Sequence, residues 1–401
     1  MKTVLLITYF FPPQTEAGAL RPFYLGKYLK DYGWDVSIVT PPAPPPGASP
    51  PAPRGEAAAF KRILRKWPAF QILKNVRNSL VYFPDAARSW IPQAVREANA
   101  RFRSRRIDAL ISTALPGSAH IIGAIVAKQQ SAPWIADYRD LWTENPYRPF
   151  GHVRNSIERS LEVSVLRRAA AITTVSAAFA ASLSLIHGRD DIDVIPNAGD
   201  PQDWQGISDL KPAAFSLCYA GRLYKGKRSP DLLFAAMAAL RKAGDPAGLS
   251  VRFDFYGPEG EIVHEAASRH GVADLVFVHG VVSRQLVLEA ERASAALVLL
   301  LRDDEAVSDE YGSKIFEYAG AKRPVIALGR SGSVLQTFLD RTGLGIFVST
   351  ADECAAGLRR LYERYRRGEF EPEYREGWST FTAPALAERF AAVLDRICSQ
   401  A

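Results

Sequence analysis

The chain is poor in the residues that build metal centres and disulfide frameworks. Its three cysteines, Cys218, Cys354 and Cys398, are odd in number, far apart and in no metal-ligand spacing. They read as reduced thiols of a cytosolic protein. The histidines form no metal-ligand cluster either: His120 reads as a core histidine, His264 and His270 as surface helix residues. No apolar run reaches the length needed to cross a bilayer, and the opening MKTVLLITYFFPP reads as a buried first strand rather than a signal peptide. A G-x-G-x-x-G fingerprint is missing after that strand, which argues against a dinucleotide-binding first half. No nucleic-acid motif accompanies the basic residues, so a nucleic-acid partner is not expected.

What is present is a long alternation of strand and helix patterns. At 401 residues the chain exceeds one ordinary core and predicts two domains. TVLLITYF, DVSIVT, DALISTA, PWIADYRD, AAAITTVSA and DVIPNAGD read as strands of a first parallel sheet. After a lapse around 201–212, FSLCYAG, VRFDFYG, LVFVHG, AALVLLL, RPVIAL and LGIFVS read as a second. Helical patterns separate most of these strands. The fold class that follows is α/β, with two Rossmann-like doubly wound parallel-sheet domains over 1–200 and 213–380. Residues 381–401 form a final helix with an apolar stripe and no strand of its own, expected to cross back to the first domain.

Two segments interrupt the first domain. Residues 41–54 hold eight prolines in fourteen positions, too many for packed helix or strand, and predict an extended loop. Residues 55–106 carry twelve Lys and Arg against three Asp and Glu. With Phe60, Trp67 and Phe70 interleaved, that stretch suits an anionic membrane surface; the competing reading is a solvated basic helix.

The stretch with the most chemistry is DEYGSKIFEYAGAKRPVIAL, residues 309–328. Gly312 and Ser313 lead into a helix beside Lys314, and free backbone N–H groups with a fixed ammonium suit a phosphate. The carboxylates Asp309 and Glu317 bracket the turn and suit sugar hydroxyls. Alone, such acids more often cap a helix. A second cationic locus follows FSLCYAG, where Arg222, Lys225, Lys227 and Arg228 share one loop and suit a diphosphate leaving group. Gly257 and Gly280 end their strands in residues that permit close backbone approach.

The order and spacing of TYFFPPQTEAGALRP, ADYRDLWT, TTVS, VIPNAGD, YAGRLYKGK, FYG, HG and the D-x7-E stretch resemble the GT-B-fold, retaining, family-4-like glycosyltransferases, nearly end to end. YFPDAARSWIPQA, STALPGSAH and ADYRDLWT look like the subgroup that builds bacterial surface polysaccharides. The resemblance implies two domains facing across a cleft, the first binding the acceptor and the second a nucleotide-sugar donor, with no cofactor and no essential metal. It implies a sugar or lipid-linked oligosaccharide acceptor and a cytoplasmic enzyme peripheral on the inner membrane face.

Roles then carry over by position. Gly18 lets backbone approach the donor phosphates. Arg222 and Lys227 hold the diphosphate, with Lys225 and Arg228 as competitors. Glu317 takes the ribose hydroxyls, and Gly312, Ser313 and Lys314 cradle phosphate, with Gly257 nearby. Asp309 stands where the family has a glutamate that touches the transferred sugar; Glu310 is its competitor. Where many relatives place a histidine, this chain has Asp137, Arg139 and Asp140, read either as site residues or as an interdomain ion-pair network. Competing functions are a nucleotide-sugar 2-epimerase, a noncatalytic donor-binding partner of a transferase, and a membrane-docking scaffold.

Overall fold

The computed structural model describes residues 1–12, 17–42, 83–145, 151–208, 211–224, 227–301, 312, 314–375 and 378–400. Contacts divide the chain into two units, Met1–Pro196 with Leu386–Ala401, and Asn197–Ala385. Each is built on one six-stranded sheet whose strands pair in parallel.

The first sheet contains β1 (Lys2–Thr8), β2 (Trp34–Val39), β3 (Ala109–Ala114), β4 (Trp134–Tyr138), β5 (Ala171–Thr174) and β6 (Ile192–Val194), in the order β2-β1-β3-β4-β5-β6. Its central strands are mostly apolar because helices cover both faces; β3 and β4 are buried at every position. After β1, the helix α1 (Leu20–Tyr28) carries Pro22 in its first turn, where a missing N–H costs no helical bond. Leu5, Ile7, Leu110, Trp134, Tyr138 and Ile172 meet α2 (Ile91–Ser104) and α3 (Ser118–Gln130) in one core cluster. The described part of the basic stretch is tied down locally: Arg105 pairs with Asp35, and Arg106 with Asp108 at 2.7 Å. Residues 43–82, with the proline-rich segment beyond its first two residues and Phe60, Trp67 and Phe70, lie outside the described residues.

The second sheet contains β7 (Ser216–Ala220), β8 (Arg252–Tyr256), β9 (Val276–Gly280), β10 (Ala296–Leu300), β11 (Val325–Leu328) and β12 (Gly345–Val348). Between β9 and β10 runs α4 (Arg284–Ala293), and α5 (Lys314–Ala321) precedes β11. The order β12-β11-β10-β7-β8-β9 is the Rossmann arrangement, with β7 and β10 adjacent where the winding reverses. Ligands of such sheets bind beyond the carboxyl ends of the two strands at that point. The loops leaving β7 and β10 hold the two polar stretches singled out above. In the first sheet the reversal falls between β1 and β3.

The segment around 201–204, where periodicity lapses, is a short 3-10 turn, Pro201–Trp204, belonging to the second unit. The last helix, Ala383–Ser399, contributes its residues from Leu386 onward to the first unit. There Asp395 accepts from Lys2 Nζ at 2.7 Å, Arg396 Nη1 donates to Asp193 at 3.1 Å, and the Phe390 ring lies 5.0 Å from the Arg21 guanidinium carbon. No helix among the described residues is long and apolar enough to cross a membrane.

Candidate active site

In the second unit three strand ends are laced together by main chain. Gly221 N–H donates to Tyr256 O, and Gly257 N–H donates to Gly280 O, each at 2.8 Å. A Cβ on Gly257 would stand 2.2 Å from Gly221 O, so only glycine permits this approach. Gly221 has φ of +152° and faces the Lys314 side chain, whose Cε would lie 3.3 Å from an added Cβ. The loop carrying Arg222 and the helix α5 therefore meet at the reversal point of the sheet.

The loop itself is held from behind. Glu259 Oε2 accepts the N–H groups of Leu223 and Tyr224 at 2.6 and 3.1 Å, and the Tyr219 hydroxyl donates to Arg222 O at 2.9 Å. Arg222 and Lys227 project into solvent. Arg228 instead lays its guanidinium over the Tyr224 ring, 4.9 Å from the centroid. That contact favours Lys227 over Arg228 as a free cation. Lys225, Asp309, Glu310 and Ser313 lie outside the described residues; Gly312 is described, its carbonyl accepting from Ile315 N–H at 3.2 Å.

Glu317 sits in the first turn of α5 with 17% of its side chain exposed. Arg284 Nη1 donates to its Oε2 at 2.6 Å, while Arg284 Nη2 donates to Asp203 at 2.7 Å. Lys314 Nζ lies 3.9 Å from the other oxygen. Burial opposes the Glu317 charge, yet Lys314 and Arg284 outweigh it and hold its pKa below the usual carboxylate range. The carboxylate is ionised, oriented and partly open, as a hydroxyl acceptor must be. A cavity of about 640 Å³ opens at the carboxyl ends of the same sheet, lined by Ser229, Asp231, Leu301, Leu328, Arg330 and Ser349. His279, one of the strand-end residues, is engaged by Asp254 at 2.7 Å and stacks on Tyr256.

The first-unit candidates separate. Asp137 is fully buried and takes four hydrogen bonds: Arg21 Nε and Nη2 at 2.9 and 2.8 Å, Thr113 Oγ1 at 2.9 Å and Thr173 Oγ1 at 2.7 Å. Every position from which its carboxylate could meet a substrate is occupied. The expectation of Asp137 as a catalytic group gives way to a buried clamp, and the pair lies within one unit rather than between domains. Arg139 is different. It lies at the end of β4, donates to Asp140 at 2.9 and 2.6 Å, and a Cβ on Gly18 would strike its Nη1 at 1.7 Å. Gly18 thus makes room for the Arg139 guanidinium, and these two candidates are neighbours. His120 is fully buried, with Nδ1 2.8 Å from Ser112 Oγ, and burial pushes its pKa down to about 4, so it stays neutral.

Sequence reasoning passed over Arg284, Asp203, Glu259 and Glu291. For Glu291 a signal exists: with Leu288 and Arg292 it forms the buried stripe of α4, an apolar-face position that holds a carboxylate, while Arg284 opens the same face at its exposed end. No group of three or more metal-ligating side chains occurs among the described residues.

Comparison with known proteins agrees with this architecture. The Glycosyl transferase 4-like domain family matches residues 22–198, and Glycosyl transferases group 1 matches residues 214–364. A sucrose-phosphate synthase from Thermosynechococcus elongatus superposes with a TM-score of 0.60 at 15% identity, covering 100% of this chain and 97% of its own. The lipopolysaccharide outer core galactosyltransferase WaaB gives 0.54 at 12%, covering 99% and 100%. A protein assigned as a UDP-N-acetylglucosamine 2-epimerase from Listeria monocytogenes gives 0.56 at 13%, covering 100% and 98%. At such identities these likenesses speak to fold alone. A comparison with curated proteins finds no match. With both halves matched in order, the chain belongs to the family-4-like GT-B glycosyltransferases, enzymes that use nucleotide sugars.

Proposed function

We propose that this chain transfers a hexosyl group from a nucleoside diphosphate sugar to an acceptor hydroxyl with retention of configuration, in the assembly of a cell-surface polysaccharide or glycolipid. What carries the reading is the meeting of Lys314, Glu317 and the Arg222 loop at the reversal point of the second sheet. Glu317 takes the ribose hydroxyls, Gly312, Ser313 and Lys314 hold phosphate, and Arg222 with Lys227 neutralises the diphosphate as it departs. The bond from the anomeric carbon to the diphosphate oxygen breaks. The acceptor oxygen bonds to that carbon on the same face, and its proton passes to an oxygen of the leaving phosphate. Positive charge beside the departing diphosphate stabilises the negative charge that develops there, the kind of electrostatic contribution that is usually the largest single one in such catalysis. The same cations let the reaction proceed without an essential metal.

The test is product formation with a panel of UDP and GDP sugars, with a chelator present, on wild type and on two variants. Arg222→Ala and Lys227→Ala are each expected to lower turnover about tenfold or more, the loss of one transition-state charge contact. Full turnover in both variants would remove the diphosphate assignment. Tight donor binding with no turnover on any acceptor would favour a noncatalytic partner subunit. Inversion of a sugar hydroxyl in place of transfer would favour the epimerase reading.

The enzyme's proposed setting is the inner face of the cytoplasmic membrane, supported by the cations and aromatics of 55–106 and by the subgroup resemblance. Neutralising Lys61, Arg62, Arg65 and Lys66 together should weaken binding to anionic vesicles and leave donor affinity unchanged. Equal vesicle binding by both proteins at low salt would refute membrane docking by this stretch.

A further inference from the structure

The helix α4 points a carboxyl into the interior of the second unit. Glu291 is 0% exposed, and neither of its oxygens receives a hydrogen bond from an N–H or O–H donor among the described residues. Its helix is tied to α5 on either side of it, by Arg284 Nη1 donating to Glu317 at 2.6 Å and by Arg292 Nη2 donating to Gly320 O at 3.0 Å, which sets the buried Glu291 carboxyl against Glu317. Two ionised carboxylates have no hydrogen to share, so this contact is favourable only when one of the pair is the acid.

The surroundings decide which one. Glu317 is partly exposed, accepts from Arg284 and has Lys314 beside it. The groups facing Glu291 are Glu317, Lys314 and Tyr318 on α5, Arg284 on its own helix, and Cys218 on β7. Burial keeps the Cys218 thiol and the Tyr318 hydroxyl neutral, and the latter donates to Val298 O at 3.1 Å. Lys314 and Arg284 balance Glu317 and Asp203. An ionised Glu291 would be a surplus buried charge, which proteins avoid by keeping the proton.

We propose that Glu291 is a positioning residue that remains a carboxylic acid and donates its hydrogen to Glu317, fixing that carboxylate's orientation toward the ribose of the nucleoside diphosphate. The inference rests on the reading above, in which Glu317 receives the ribose hydroxyls. Arg284 then steers one Glu317 oxygen, Glu291 sets the plane of the group, and the remaining lone pairs face the ligand side. Glutamine reproduces the donor and the shape of the acid. Leucine reproduces the bulk alone.

The first arm of the test needs no nucleotide. The infrared difference spectrum between wild type and E291Q at neutral pH should contain the carbonyl stretch of a buried protonated carboxyl; its absence overturns the proposal. The second arm is calorimetric titration with UDP and GDP. E291Q should bind within about threefold of wild type, whereas E291L should bind about tenfold or more weakly with an undiminished melting temperature, since the oriented hydrogen bond is gone and the packing is kept. Equal affinity of E291L and E291Q overturns the positioning role and leaves the donor reading intact. A tenfold loss in E291Q overturns it even if E291L fails to fold. Failure of every protein to bind any nucleotide, with the acid band present, overturns the donor reading and the positioning role with it.

Discussion

Asp137→Ala should destabilise the first unit by about 3–5 kcal/mol, the usual result of stranding one partner of a buried ion pair. Arg21 is 2% exposed, and two of its three described hydrogen bonds end on Asp137. Its remaining bond, to Pro196 O at 3.0 Å, does not neutralise the cation. Thr113 and Thr173 lose their acceptor as well. Burial works against the Asp137 charge, but Arg21 and the two threonines hold its pKa below the usual carboxylate range. Its contribution is therefore complete above the unfolded carboxylate pKa and is lost as pH falls through the lower folded value. The check is thermal or urea unfolding of Asp137→Ala beside the double variant Arg21→Met, Asp137→Leu, which removes both charges and should be far less damaging. A variant that unfolds like wild type but has lost turnover would return Asp137 to the reacting centre.

Glu317→Ala should weaken nucleotide binding about a hundredfold or more, from the loss of two charge-assisted hydrogen bonds at about 1.5–3 kcal/mol each. The fold should survive, because Arg284 keeps Asp203 at 2.7 Å and Glu291, as an acid, is not left as a naked charge. Glu317→Gln should fall between the two, having exchanged one acceptor oxygen for a donor that ribose hydroxyls meet less well. Calorimetry across UDP, GDP and their sugar conjugates measures both variants. Wild-type affinity in Glu317→Ala would mean that Glu317 only tethers Arg284 and that the nucleotide binds elsewhere.

These expectations divide between what is local and what is not. Strands buried on both faces by helices are mostly apolar, so a run such as ALVLL announces itself without a partner in view. Functional loops follow such runs, which is why Arg222, Gly257 and Glu317 were legible as candidates. The capping of later helices was equally local: Thr350 and Glu353 form a complete capping box within four residues.

Other assignments depended on distance in sequence. Asp137 near the end of a strand looks the same whether it meets a substrate or an arginine, and its partner Arg21 lies 116 positions away. Arg284 reaches Glu317 across 33 positions and Asp203 across 81. Gly18 and Arg139 sit after different strands, and only the fold brings them together. The sequence by itself determined the fold class and the number of strands in each sheet, because periodicity and turn residues are properties of neighbours along the chain. Only the tertiary structure decided which charges are spent on one another, since a buried ion pair is chosen by the packing of strands and helices and not by spacing.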